Sequence, residues 1–367
     1  MYHIAVIKGD GTGPEVVNEA LKVLNTVESK HKIAFQFYEL DYNAQRYLSE
    51  GKTLGDDELE KLKNYDAVLF GAIGDPRVTS GILERDILLK IRFGLDQYIN
   101  LRPVRLYPGV ASPVLYKEGF QDLDYVVIRE NTGGVYTGKG SVLDKGSKNE
   151  TVSQIMHYTY EQVERCLRYS FEYVRRRHLD SPWKFLDQSD LKKGYIGKLT
   201  LCGKSNVLSY VFDLWLRLFE EIGKEYPDIK RDYVHVDACC IYMIDAPHMF
   251  DVLVTTNMFG DIITDLAAVT QGGLGVASGA NINPDGVSMF EPIGGTAPDF
   301  TGRNEINPIA SIGAAQLMLD HLGERQAALD IDSAKLRVIK GMDSQEAAKM
   351  GCSTQEVGDR VVAELLK

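Results

Sequence analysis

The sequence predicts an α/β fold in two domains, and three observations carry that expectation. Short apolar segments alternate with stretches of helical periodicity along most of the chain. The chain opens strand, glycine-rich turn, helix, which is the first step of a repeating α/β unit. Its 367 residues exceed what one small core organises and suit two lobes or one large α/β unit, each able to bury a core.

Residues 3–7 read as a strand and 8–14 as a turn, and a helix follows Pro14, where Val17, Ala20, Leu21 and Leu24 recur at helical spacing. Residues 33–38 and 67–70 read as strands separated by a stretch with a helix at 56–63. A Pro-containing segment at 102–113 leads to a strand at 124–128, a turn region at 131–140 and a long helix over about 152–177. Strands recur at 196–201, 233–236 and 252–255, and helices at 207–222 and 261–269; Val207, Val211, Leu214 and Leu218 form one stripe of the first of these helices. Residues 271–302, rich in Gly, Pro and Asn, read as loop, and helices near 309–321 and 354–366 finish the chain. The Lys-rich stretch 179–193 reads as an insertion.

Composition removes several function classes. With 44% hydrophobic and 25% charged residues, the chain has the balance of a folded globular protein. A net charge of −11 disfavours general binding to nucleic acid or an anionic membrane, so an anionic substrate needs a local basic patch. The start of the chain has no basic and apolar leader pattern and no long apolar span follows, so a cytoplasmic protein is expected. The cysteines, Cys166, Cys202, Cys239, Cys240 and Cys352, are odd in number and form no CxxC, which predicts reduced thiols. Cys239-Cys240 reads as part of a short apolar strand with a packing role. The histidines are scattered singly and offer no metal or triad spacing.

Three clusters can carry chemistry. Lys8-Gly-Asp-Gly-Thr-Gly-Pro-Glu15 places bare amides between a strand and a helix, where a phosphate or nucleotide can approach, although a plain connecting turn accounts for it equally well. It is neither GxGxxG nor a Walker loop. Asp261 and Asp265 are four apart and share a helix face, and with Asp237 they offer three hard oxygen ligands suited to Mg²⁺ or Mn²⁺; capping and a solvated acidic face are the alternative. Arg92, Arg102 and Arg129 sit at helix or strand ends and can clamp carboxylates, while taken singly Arg92 reads as a solvated face and Arg129-Glu130 as a local ion pair.

These residues, in this order, resemble the β-decarboxylating hydroxyacid dehydrogenases, the isocitrate/isopropylmalate dehydrogenase family. The likeness rests on Gly9-Asp-Gly-Thr-Gly-Pro-Glu-Val16, Asn100-Leu-Arg-Pro103, Arg129-Glu-Asn-Thr-Gly-Gly-Val-Tyr136 and Lys204-Ser-Asn-Val207. It continues through Asn257-Met-Phe-Gly-Asp-Ile-Ile-Thr-Asp265 and Glu291-Pro-Ile-Gly-Gly-Thr-Ala-Pro-Asp299. It implies an isopropylmalate dehydrogenase-like fold with a large mixed sheet, not a Rossmann fold. The domains would be 1–101 with 272–367 for the cofactor, and 102–271 for dimerisation, substrate and metal.

The resemblance also implies roles. Arg92, Arg102 and Arg129 would bind the substrate carboxylates, and Asp237, Asp261 and Asp265 the metal, with Asp237 coming from the other subunit of a homodimer. Lys204 would be the base and Tyr136 the proton donor to the enol left by decarboxylation. NAD would lie against Thr12, Asn206, Glu291, Gly295, Thr296, Ala297, Pro298, Asp299 and Asn307, with Asp299 accepting the ribose hydroxyl and repelling a 2′-phosphate. Gly294 departs from the family, where a histidine usually stands beside the adenine. Leu88, Leu89 and Val207 would form an apolar slot fit for an isopropyl group and hostile to a third carboxylate. The implied reaction is NAD-dependent oxidative decarboxylation of 3-isopropylmalate to 2-oxoisocaproate, a step of leucine biosynthesis, with Mg²⁺ or Mn²⁺. Tartrate or D-malate remains the alternative substrate. A non-catalytic nucleotide-binding subunit is disfavoured because Lys204, Tyr136 and all three aspartates are present.

Overall fold

In a computed structural model the chain is described over residues 1–112 and 123–367, which leaves the last residue of the expected 102–113 segment outside. It begins with β1 (Tyr2–Gly9), α1 (Gly13–His31), β2 (Phe35–Glu39), α2 (Ala44–Glu50), α3 (Asp56–Leu62) and β3 (Ala67–Ala72). A π-helical turn over Glu84–Leu89 runs directly into α4 (Lys90–Gly94), followed by β4 (Ile99–Arg105). The middle third holds β5 (Asp124–Glu130), β6 (Gly140–Leu143), β7 (Thr151–Gln154), α5 (Tyr160–Arg177), α6 (Gln188–Lys192) and β8 (Gly197–Gly203). After these come α7 (Ser209–Gly223), β9 (Ile229–His235), α8 (Val236–Asp245), β10 (Val252–Thr255) and α9 (Asn257–Thr270). The last third holds β11 (Ser278–Ile282), β12 (Ser288–Pro292), α10 (Ile309–His321), α11 (Arg325–Ile339) and α12 (Thr354–Leu365).

Two compact units result. The first contains Met1–Gln97, residues 102–112 and Ala268–Lys367; the second contains Tyr98–Leu101 and Leu123–Ala267. Relative to the expected division at 101 and 271, residues 102–112 group with the chain ends, and 98–101 with the middle.

In the first unit β1 pairs in parallel with both β2 and β3, and β3 pairs in parallel with β12. β11 is antiparallel to β12, so the sheet is mixed, as the fold class requires. β3, Ala-Val-Leu-Phe-Gly-Ala, is buried at every position, as expected of a strand covered on both faces. In the second unit β10 pairs in parallel with β5 and β8, and β8 in parallel with β9. α5 and α7 pack on one another through Phe171, Phe219 and their neighbours, with the first two rings stacked at 5.5 Å.

The expected strands and most helices are present with shifted ends, and five local expectations fail. The helix expected over 152–177 starts only at Tyr160, because Thr159 and Gln162 form a reciprocal capping box. Its expected first turns are instead β7, paired antiparallel with β6. Cys239 and Cys240 lie in α8, not in a strand. The 271–302 loop contains β11 and β12, and a helix, α11, stands between the two expected at the C-terminus. All five cysteines are free. No helix among the described residues is long and apolar enough to cross a membrane.

Candidate active site

In the second unit, parallel pairing brings four strand ends into register, with Thr255 beside Arg129 and Cys202, and Gly203 beside His235. The C-terminal edge of parallel strands is where backbone direction changes and side chains of several strands converge. Here β5 ends in Arg129 and Glu130, β10 opens into α9, β8 delivers Lys204, and β9 delivers Asp237 in the first turn of α8.

Asp261 gathers two of the expected residues. The Arg129 guanidinium donates to Asp261 Oδ1, and the Tyr136 hydroxyl donates to Asp261 Oδ2. Arg129 is 2% exposed, and its guanidinium also lies over the Tyr136 ring at 5.2 Å. Burial first, and the bond to Asp261 second, push the Tyr136 hydroxyl above its ordinary value, while Arg129 opposes the shift. The local pair Arg129-Glu130 does not form: Glu130 instead accepts from the Thr132 amide and hydroxyl and the Gly133 amide. Asp261 is therefore no helix cap; it sits one turn inside α9, with Asp265 exposed one turn further on the same face.

Lys204 Nζ donates to Asp237 Oδ1 at 2.6 Å. That bond, reinforced by the ammonium charge, holds the Asp237 carboxyl below the usual carboxylate range. Lys204 is thus ion-paired and not a free surface lysine. Among the described residues of one chain no three His, Cys, Asp or Glu side chains form a metal-holding group. Asp261 and Asp265 stand four residues apart in α9, and Asp237 is paired with Lys204. Val207 and Asn206, beyond Lys204, are exposed.

In the first unit Arg92 and Arg102 are buried, which removes the reading of Arg92 as a solvated helix face. Arg92 Nη2 donates to Glu291 Oε1 at 2.8 Å, and Asn281 Nδ2 donates to the same oxygen at 2.8 Å. Burial alone would raise the Glu291 carboxyl, but Arg92, Arg102 and Asn281 outweigh it and hold the carboxyl below its ordinary value. Leu88 and Leu89 lie at the end of the π-helical turn, half-buried, with Leu88 packed on the hydrophobic cluster around Ile87 and Ile91.

The Gly-rich turn meets the 291–307 loop through the Thr12 amide, which donates to the Thr296 carbonyl at 2.9 Å, with the Thr12 hydroxyl on the same oxygen at 3.2 Å. Gly11 has φ +59°, and a Cβ there would stand 2.2 Å from the Thr296 oxygen, so only glycine fits. A surface depression beside this junction is lined by Gly9, Gly11, Gly74, Arg77, Pro298 and Thr301. Ala297, at φ +42°, is a non-glycine residue in the left-handed region where the loop enters its 3₁₀ turn at Pro298–Phe300. Gly295 and Asp299 are exposed. Asn307 is buried, and its Oδ1 accepts from the Ile309 amide at the start of α10.

Two residues were overlooked in these roles. Asn257, which nothing in the sequence singles out within its motif, accepts from Arg129 Nε. Glu291, expected beside the dinucleotide, is also the counter-ion of Arg92. The only signal for either was its position at the end of a strand.

Residues 3–361 match the family model described as isocitrate/isopropylmalate dehydrogenase. Among curated relatives, a 3-isopropylmalate dehydrogenase of Thermobifida fusca is 46% identical over 98% of this chain and 96% of its own. One from Streptomyces coelicolor is 43% identical over 99% and 98%. Among solved structures, isocitrate dehydrogenase from Methylococcus capsulatus covers all of both chains at 33% identity with a TM-score of 0.85. With its mixed-sheet α/β architecture and a family match over almost its entire length, this chain belongs to the isocitrate/isopropylmalate dehydrogenase family of oxidoreductases.

Proposed function

We propose that the chain catalyses NAD-dependent oxidative decarboxylation of 3-isopropylmalate as a cytoplasmic homodimer of leucine biosynthesis. The observation that carries this reading is the meeting of Arg129, Tyr136 and Asp261 at one strand edge, residues able to serve as carboxylate clamp, proton donor and cation ligand. Relatives named 3-isopropylmalate dehydrogenase at 43–46% identity support the choice of substrate. Leu88 and Leu89 support it too, since an apolar wall gains about 0.8 kcal/mol per buried methylene and penalises an unpaired carboxylate.

The donor set fits a divalent cation: Asp261 and Asp265 lie on one helix face, and Asp237 of a second copy would complete three hard oxygen ligands. Such a cation, when bound, stabilises negative charge on the substrate oxygen beside the departing hydride and on the enolate that follows. Arg129, Arg92 and Arg102 hold the substrate carboxylates. Lys204, as the neutral amine, takes the proton of the 2-hydroxyl at Nζ and becomes the ammonium, and Tyr136 gives the proton of its hydroxyl to the enol carbon after carbon dioxide leaves. The dinucleotide fits the Gly9–Gly11 turn and the 295–299 loop, whose bare backbone permits close approach, and Asp299 favours NAD over its 2′-phosphorylated form.

The test is kcat/KM for 3-isopropylmalate, D-malate, tartrate, isocitrate and homoisocitrate with NAD and Mn²⁺. A preference for 3-isopropylmalate of tenfold or more is expected, and a comparable preference for D-malate would overturn the assignment.

A further inference from the structure

We infer that Asn257 is a positioning residue for substrate binding: its side-chain oxygen fixes the plane in which the Arg129 guanidinium meets a substrate carboxylate. The inference rests on the reading of Arg129 as a carboxylate clamp. Arg129 Nε donates to Asn257 Oδ1 at 2.9 Å, and both side chains are buried. A guanidinium is a rigid planar fork, so anchoring Nε at a fixed acceptor sets the direction of the remaining donors.

Asn257 is itself held from two sides. Its Nδ2 donates to the Gly133 carbonyl at 3.0 Å, and its backbone amide donates to the Tyr158 hydroxyl at 2.8 Å. Gly133 in turn donates its amide to the buried Glu130 carboxylate at 2.8 Å. The acceptor is therefore tied to the same turn that follows Arg129 in the chain. A second anchor of Arg129, Asp261, is shared with Tyr136 and is a proposed cation ligand, so it has competing demands. Asn257 carries no charge, so it orients the guanidinium without neutralising it and leaves its positive charge for the substrate.

The experiment compares Asn257→Ala, Tyr158→Phe, Arg129→Ala and the double variant Asn257→Ala/Arg129→Ala in the full-length protein. It records KM for substrate, KM for NAD, kcat and the melting temperature. Asn257→Ala is expected to raise the substrate KM about tenfold or more, with the KM for NAD within about twofold of the parent. Tyr158→Phe removes only the backbone anchor and is expected to lower the melting temperature while leaving the substrate KM in place. The double variant is expected to show no higher substrate KM than Arg129→Ala alone, because the two side chains act as one. Asn257→Ser, whose hydroxyl is too short to reach Nε, replaces the alanine variant if that one fails to fold.

A substrate KM that follows the melting temperature equally in Asn257→Ala and Tyr158→Phe overturns the inference, as does an additive double variant. Arg129→Ala with an unchanged substrate KM sinks the clamp reading itself. A raised KM in Arg129→Ala with a normal KM in Asn257→Ala sinks only the role of Asn257.

Discussion

Arg92 and Glu291 form an ion pair at 2.8 Å with both side chains almost wholly removed from solvent. Taking one partner away leaves the other charge buried and unmatched, which costs about 3–5 kcal/mol. Glu291→Ala is therefore expected to lower the urea midpoint and melting temperature sharply, and a melt indistinguishable from the parent would contradict the pairing. The pH dependence has a definite sign. The Glu291 carboxyl lies below its ordinary value, so its contribution is present above about pH 4.3, the unfolded-state value, and is lost as pH falls through the folded value. The stability gap between the parent and Glu291→Gln should accordingly narrow in acid.

Tyr136→Phe removes a hydroxyl whose burial and bond to Asp261 keep it protonated. Loss of a positioned proton donor lowers kcat by about a hundredfold or more, while the substrate KM stays near the parental value. Because the shift is upward, the parent should lose no activity through Tyr136 ionisation below about pH 10. Steady-state kinetics across alkaline pH reads both effects, and a Phe variant with full kcat would remove Tyr136 from the reaction.

Asp265→Asn is expected to weaken Mn²⁺ binding about tenfold or more, read by titration calorimetry without substrate. Asp237→Asn should do the same although the three aspartates form no metal-holding group within one chain. If the ligands are shared between copies, mixing inactive Asp237→Asn and Asp261→Asn proteins through a dissociation step restores roughly a quarter of the sites. Complete silence of the mixture would place all three ligands in one chain.

Asp299 is exposed in the 3₁₀ turn after Ala297. Removing its charge in Asp299→Ala should erode the preference for NAD over NADP by about tenfold, since repulsion of a 2′-phosphate disappears. An unchanged ratio of kcat/KM for the two dinucleotides would clear Asp299 of that role.

Gly294 has open space around it, the nearest heavy atom to a built Cβ being Leu274 Cβ at 4.0 Å. Gly294→His is expected to fold with an unchanged melting temperature. A ring stacked on adenine should lower the KM for NAD about fivefold, near 1 kcal/mol. A raised KM would mean that the loop carries the cofactor elsewhere.

Much of this was legible because the decisive segments are local. β10, Val-Leu-Val-Thr, keeps its expected bounds, and the helix with two aspartates one turn apart is present as α9, though it starts at Asn257, four residues before the expected 261. α11 was not legible: alanines 327, 328 and 334 carry much of its buried face, and alanine contributes little to an apolar periodicity. β11 and β12 contain Ser, Gly and Asn, and their strand state depends on pairing with each other and with β3. β7 was absorbed into the helix behind it, because a branched residue such as Val152 fits either period. Asn257 could not be found from spacing, since Arg129 and Gly133 stand 128 and 124 residues away. The pairing of Glu291 with Arg92 was hidden for a related reason, since the two stand 199 residues apart.

The segment carrying Leu88 and Leu89 is wound as a π-turn, which holds more residues per revolution than the α-helix it feeds. Deleting a single amino acid there would rewind the backbone to the ordinary pitch and swing each upstream side chain around the axis, while the anchored Arg92 stayed in place. On the proposed reading of Leu88 and Leu89 as the substrate's apolar wall, that wall is open to exchange in one genetic event while Arg92 keeps its place, an inexpensive route to new hydroxy acids.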